Sequence, residues 1–395
     1  MKRAAWLTAV LSVAAHGSVH TQLPDWVPEL RGYFLNVPIV MADGPFSEGT
    51  VSDFQRLRLM TRPAYGDFAI DVAYEHLITL RSDSGAGSMV GFAPIGSGSD
   101  WLELQGTIWE TKNVFWRHRL DRLNVQYQLG SLEAVVGRQP ISWATTLFLT
   151  PADPFVPFDP SDPFREYRAG VDAARVRVFT GPFTEFDGVL RLAEFQSGET
   201  MTALARARTS IGAWELAGWG GMLHEEAAFS GAATVSVAGG VLRGEAVIRR
   251  SQEETVVRAT IGADRSFQIA GRNVYVIAEY QRDGFGAAGP EELISVLLSD
   301  AAQRGELQVF GRDEIVLQGS IELHPLFGLD ALVLWNLNDP SALLAPGASY
   351  SAGNEVSVRG GIYVGLGTGT AEGGLPGSEF GAVPTTGYVS LTWFF

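Results

Sequence analysis

The 395-residue chain contains no cysteine. That excludes disulfides, thiolate metal sites and anchoring through a lipid-modified cysteine. Lysine is nearly absent too: only Lys2 and Lys112 occur, so the 29 basic residues are almost all arginine. No stretch approaches the roughly 18 consecutive apolar residues that a membrane-spanning helix needs, which excludes a helical inner-membrane protein. Positive charge is in deficit, with a formal net charge of −15, so no nucleic-acid partner is expected. Histidine is sparse as well. His16 and His20 sit near the N-terminus, while His76, His118, His224 and His324 are scattered without paired metal-ligand spacing. Neither an enzyme, a metal site nor a cofactor is expected.

What is abundant is glycine, with 46 residues, and tryptophan, with 10. That composition fits a β-rich chain with many turns and an interfacial aromatic belt. Period-two alternation recurs from Phe54 to Met60, Phe68 to Tyr74, Leu123 to Leu129, Val171 to Phe179, Ile315 to Leu323 and Val356 to Leu366. It predicts eighteen strands, near 30–40, 51–61, 67–80, part of 101–129, 131–139, 169–180, 185–195, 201–210, 212–223, 227–238, 241–251, 254–264, 271–282, 312–324, 329–338, 342–351, 354–366 and 385–395. The long connections, 41–50, 81–100, 140–168, 283–311 and 367–384, all follow odd strands, and the connections after even strands are short. An all-β antiparallel transmembrane barrel segregates its loops this way and has an even strand number; a soluble sandwich has no reason to. Eighteen strands are expected over residues 21–395, with sixteen as the alternative. One loop helix is expected at 290–298, where Pro290 precedes Glu291 and Glu292.

Both ends of the chain point to export. Lys2-Arg3 and the short apolar run from Ala4 to Ala15 have the layout of a cleaved signal peptide, residues 1–20. In the last strand, Val389, Leu391, Trp393 and Phe395 share one face; Tyr388, Ser390, Thr392 and Phe394 share the other. This segment resembles the closing strand of Gram-negative outer-membrane β-barrels. The resemblance implies that Trp393 and Phe395 belong to the signal read by the barrel-assembly machinery. Periplasmic chaperones and outer-membrane lipid are then the other partners.

Arginines alternate with apolar residues on many strands: Arg56, Arg58, Arg175, Arg177, Arg191, Arg206, Arg208, Arg243, Arg258 and Arg359. A lipid-facing arginine near the midplane costs about 2–4 kcal/mol, so these are expected to face inward. Glu215, Glu245, Glu279 and Glu322 are the acids expected with them on the pore side. Two readings stay open: pairing across a filled lumen, and a wall that makes a water-filled pore favour anions. The connection at 140–168 is dense in proline and aromatics and is expected to be stiff. Gly137-Arg138-Gln139-Pro140-Ile141-Ser142-Trp143, then Pro151 to Pro160, then Arg168-Ala169-Gly170-Val171-Asp172-Ala173 resemble a porin-like outer-membrane family, with Ala144 where that family has glycine. The resemblance implies a loop folded into the barrel, with Asp153, Asp159, Asp162, Arg165, Glu166 and Arg168 at a constriction. The expected function is passive diffusion of small polar, in part anionic, solutes. The alternatives are a barrel moving a polysaccharide or a hydrophobic substrate, and a non-conducting structural barrel. A homo-oligomer is left open.

Overall fold

A computed structural model describes residues 29–82, 100–164, 166–195, 198–251, 254–371 and 373–395. The expected signal peptide and Arg165 lie outside the described residues. The alternating segments form strands β1 (Arg31–Met41), β2 (Thr50–Thr61), β3 (Ala64–Tyr65), β4 (Phe68–Arg81), β5 (Gln105–Glu110), β6 (Val114–Leu129) and β7 (Leu132–Gln139). There follow β8 (Val171–Phe179), β9 (Thr184–Phe195), β10 (Gly198–Ile211), β11 (Trp214–Leu223), β12 (Glu226–Val237) and β13 (Gly240–Ser251). The last are β14 (Glu254–Ile269), β15 (Arg272–Asp283), β16 (Asp313–His324), β17 (Phe327–Asn336), β18 (Ser341–Ser351), β19 (Val356–Leu366) and β20 (Thr386–Phe394).

Apart from the short β3 and β5, each strand pairs antiparallel with the next, and β20 returns to pair with β1 through Tyr33↔Phe394 and Met41↔Thr386. Eighteen strands therefore close a ring, and the sixteen-strand alternative falls away. Closure leaves no sheet edge to satisfy, which is what lets strands rather than helices span a bilayer. Among the described residues no helix is long and apolar enough to cross.

The predicted segment 101–129 divides in two. Thr111 turns the chain, its amide donating to the Val114 carbonyl at 2.8 Å, so β5 folds back along the upper part of β6. β7 stops at Gln139 because Pro140 has no N–H to continue the ladder. β5 and β7 thus share one edge of β6, which is why the long connection after β4 runs further than the sequence pattern suggested. The expected loop helix forms as a 3₁₀ turn at Pro290–Glu292 and α1 (Leu293–Leu297). A second helix, α2 (Asp300–Gln303), follows it, with the Ser299 hydroxyl accepting from the Ala302 amide.

The two faces of the wall differ as the alternation requires. Val40, Ile70, Val125, Ile261, Val389 and Leu391 point outward and are exposed, whereas Tyr33, Leu35, Val37 and Ile39 of β1 are buried inside. Phe68 with Tyr127, Phe183, Trp214 and the Trp393–Phe395 pair mark the outer wall near the short-turn end. Trp116, Phe229, Tyr280 and Trp335 mark it toward the long-loop end. Such paired girdles bracket an apolar band. Inside, the long-loop half is filled by two apolar clusters, one on β1 and β16–β20, the other on β8–β13.

Candidate functional site

The connection between β7 and β8 enters the barrel and stays there. Its entry and exit are locked together by the motif residues at its two ends. Arg138 pairs with Asp172 through Nε–Oδ1 at 2.9 Å and Nη2–Oδ2 at 2.7 Å, and reaches Asp100 at 2.9 Å. Register puts this pair on the same face as the exposed Leu123 and Val136, the lipid side. Segment 100–104 covers it there, with Arg138 donating to the Leu102 carbonyl at 2.6 Å and the Leu102 amide donating to Asp172 at 2.8 Å. Gln139 donates to the Ala173 carbonyl at 2.9 Å. Gly170 lies so close to β6 that a Cβ would stand 2.2 Å from the Asp121 carbonyl oxygen. The glycine-arginine-glutamine and glycine-valine-aspartate runs are therefore the hinge of the loop, and their residues are buried in the wall.

From this hinge the loop runs out to β15, doubles back at Ala152 to β11 and β13, and then reaches β19, β20, β2 and β1. Trp143 donates to Asp187 of β9 at 2.9 Å, and Trp219 of β11 donates to the Ala152 carbonyl at 2.8 Å. Glu245 of β13 accepts from the amides of Thr145 at 2.7 Å, Thr146 at 3.0 Å and Ala152 at 3.0 Å. Glu279 of β15 accepts from Leu147 at 2.6 Å, Phe148 at 3.0 Å and Leu149 at 2.9 Å. Gln308, in the connection after β15, accepts from the Thr150 amide and donates to the carbonyls of Phe148 and Phe158. Tyr363 of β19 donates to the Ser161 carbonyl at 2.6 Å, and Phe164 stands edge-on to Tyr388 of β20 at 5.1 Å. Arg56 of β2 donates to the Phe164 carbonyl at 3.2 Å. Tyr167 stacks on Tyr33 of β1 at 5.9 Å, under the Arg58 guanidinium at 4.6 Å.

Of the expected constriction residues, Asp153 is buried against Arg168 at 2.6 Å. Asp159 accepts from the Ser161 amide at 2.8 Å and Asp162 from the Phe164 amide at 2.8 Å, each shaping a turn of the loop itself. Glu166 is exposed. Of the ten inward arginines, Arg58 bridges Glu75 at 2.5 Å and Asp121 at 2.7 Å. Arg175 holds Asp187 at 2.5 Å, Arg206 holds Glu185 at 3.4 Å and Arg208 holds Glu215 at 2.7 Å. Arg258 holds Asp283 at 2.8 Å and Arg359 holds Asp330 at 2.5 Å, while Arg177 pairs with Glu133 and Arg243 with Asp264. Arg191 is buried without a hydrogen-bonding or ion-pair partner among the described residues. Solvent reaches Arg177, Arg208 and Arg359, whose side chains keep 28%, 40% and 32% of their exposure. Glu322 is exposed at the short-turn end of β16. Glu245 and Glu279 are covered by the loop they hold and are screened from the lumen.

No family model matches the chain, and no curated protein does. Solved structures do match. OccAB1 of Acinetobacter baumannii superposes with a TM-score of 0.58 at 9% identity, over 96% of this chain and 99% of that one. A BenF-like porin from Pseudomonas fluorescens Pf-5 gives 0.55 at 10% identity, over 93% of this chain and 98% of its own. Pseudomonas aeruginosa OpdK, solved with vanillate, gives 0.53 at 9%, over 93% and 98%.

The fold is that of these porins. Within this porin fold the inner loop depends on residues that the sequence pattern did not single out: Tyr33, Tyr167, Trp219, Gln308 and Tyr363. Tyr167 lies inside the arginine-rich end of the loop motif and was accessible from it. Gln308 has no local signal, because its partners lie about 150 residues earlier.

Proposed function

We propose that the protein is a channel in the outer membrane of a Gram-negative bacterium, reached through a cleaved signal peptide, through which small polar and in part anionic solutes diffuse passively. The observation that carries this reading is the seating of the loop inside the ring, held on the wall at β9, β13, β15, β19 and β2. A loop seated inside the ring narrows the lumen that the ring encloses. The arginines that keep solvent exposure supply guanidinium groups along the route; Arg177 and Arg359 each pair with one carboxylate and Arg208 with Glu215 and Glu185, so they attract anions without binding them irreversibly. The vanillate with which OpdK was solved is a carboxylate, the class of solute that these guanidinium groups attract.

Single-channel recording in planar bilayers tests this. Ohmic steps with a reversal potential displaced toward anions are expected under a salt gradient. Arg177→Glu with Arg208→Glu should move that potential toward cations. A folded barrel that passes no current sinks the reading.

A further inference from the structure

The outward wall is apolar over most strands, but not between β1 and β6. Asn36, Asp53 and Gln55 share the outward face with Val40 and Val51, which are 59% and 56% exposed. The Asp53 carboxylate accepts from Asn36 Nδ2 at 2.9 Å on both oxygens and from Gln55 Nε2 at 2.7 Å. Both donors are neutral, and no cation pairs with Asp53 among the described residues. On the same face His76 is satisfied, its Nδ1 accepting from Trp116 Nε1 at 3.2 Å and its Nε2 meeting the Tyr74 hydroxyl at 3.1 Å. His118 is not. It packs on Tyr74 at 5.9 Å and His76 at 6.4 Å, and neither ring nitrogen has a hydrogen-bond partner among the described residues.

Outward apolar residues flank these groups on both sides along each strand: Phe34 and Val40 around Asn36, Val51 and Leu57 around Asp53, Val72 and Ile78 around His76. A carboxylate without a counter-charge is costly in that band, and lipid tails offer His118 no acceptor.

We propose that the outward face of β1, β2, β4 and β6 docks a second copy of this chain around a two-fold axis parallel to the membrane normal, with Asp53 of each copy meeting His118 of the other. A two-fold contact needs a self-complementary face, and this one carries an acceptor lacking a cation beside an imidazole lacking an acceptor. The positions fit. Register carries Asp53 to Leu80 of β4 and on to Val114 of β6, so β4 lies midway between the two groups. The far wall is different: Ile261 of β14, 65% exposed, lies among apolar neighbours suited to lipid.

Because the chain has no cysteine, single introduced thiols report on this contact alone. Ile78→Cys, on the outward face of β4, should cross-link to a dimer on mild oxidation in native membranes, whereas Ile261→Cys stays monomeric. Adding Asp53→Leu or His118→Ala to Ile78→Cys should cut the dimer at least fivefold. A monomer from Ile78→Cys, or equal cross-linking from Ile261→Cys, overturns the proposal. If Ile78→Cys does not assemble, sedimentation of the unmodified chain beside Asp53→Leu decides the point. A dimer that becomes a monomer supports it; a monomer in both overturns it.

Discussion

At the scale of single residues, the interior shows how buried charge is tolerated. Glu75 and Asp121 sit between Arg58 and Arg119, each carboxylate meeting both guanidinium groups. Removing one member leaves the rest uncompensated, which for a buried pair costs about 3–5 kcal/mol. His224, in the turn after β11, is the opposite case. Burial pushes its imidazole down to about 2, and the guanidinium groups of Arg191, Arg249 and Arg304 add to the effect. It stays neutral in the folded barrel, its Nδ1 meeting the Thr200 hydroxyl at 3.1 Å and its ring edge-on to Phe195 at 5.4 Å. In the unfolded chain it takes a proton below about 6.5. The folded pKa is the depressed one, so stability is complete above that pH and falls by up to about 1.4 kcal/mol per pH unit as the solution is acidified. His224→Gln should flatten this dependence between pH 7 and pH 5, read as the temperature at which the barrel loses its heat-modifiable gel mobility.

At the scale of elements, the loop between β7 and β8 is held most firmly at its far side, where Glu245 and Glu279 together accept from six backbone amides. A glutamine there keeps one acceptor oxygen and presents N–H groups to other N–H groups. Glu245→Gln with Glu279→Gln should raise hydrogen exchange of amides 145–152 at least tenfold and leave the wall strands unchanged. Unaltered exchange would show that the loop is held elsewhere. The strands themselves were legible in the sequence because a wall with lipid on one side and charge on the other enforces strict alternation, as in Arg56 and Arg58 against Leu57 and Leu59. Loop parity then supplied the ring. β5 was not legible, since its place follows from where Pro140 ends β7. The roles of Glu245 and Glu279 were not legible either: alternation gives the side of the wall, but the loop that covers them lies about 100 residues and more away. Asp53 and Asn36 were passed over for a related reason, because polar residues on an outward face break the rule that made the other strands readable.

At the scale of the whole molecule, closure rests on β20. Phe395 and Gly32 exchange two backbone hydrogen bonds, at 2.8 and 3.0 Å, at the foot of the seam between β20 and β1. Removing Phe395 takes away that exchange and the aromatic partner of Trp393, together with the terminal residue that assembly is expected to recognise. The deletion should slow insertion in a reconstituted assembly assay by severalfold, with the barrels that do form keeping the wild-type melting temperature within a few degrees.

The seating of Phe164 against Tyr388, of Ser161 against Tyr363 and of Tyr167 against Tyr33 has a consequence for biogenesis. Those berths belong to the last two strands to be made and to the first. A nascent wall that lacks its final hairpin gives the middle of the chain nowhere to settle. Phe164 then remains an exposed apolar surface until the two edges meet. The inner loop is therefore seated last, after the wall has closed.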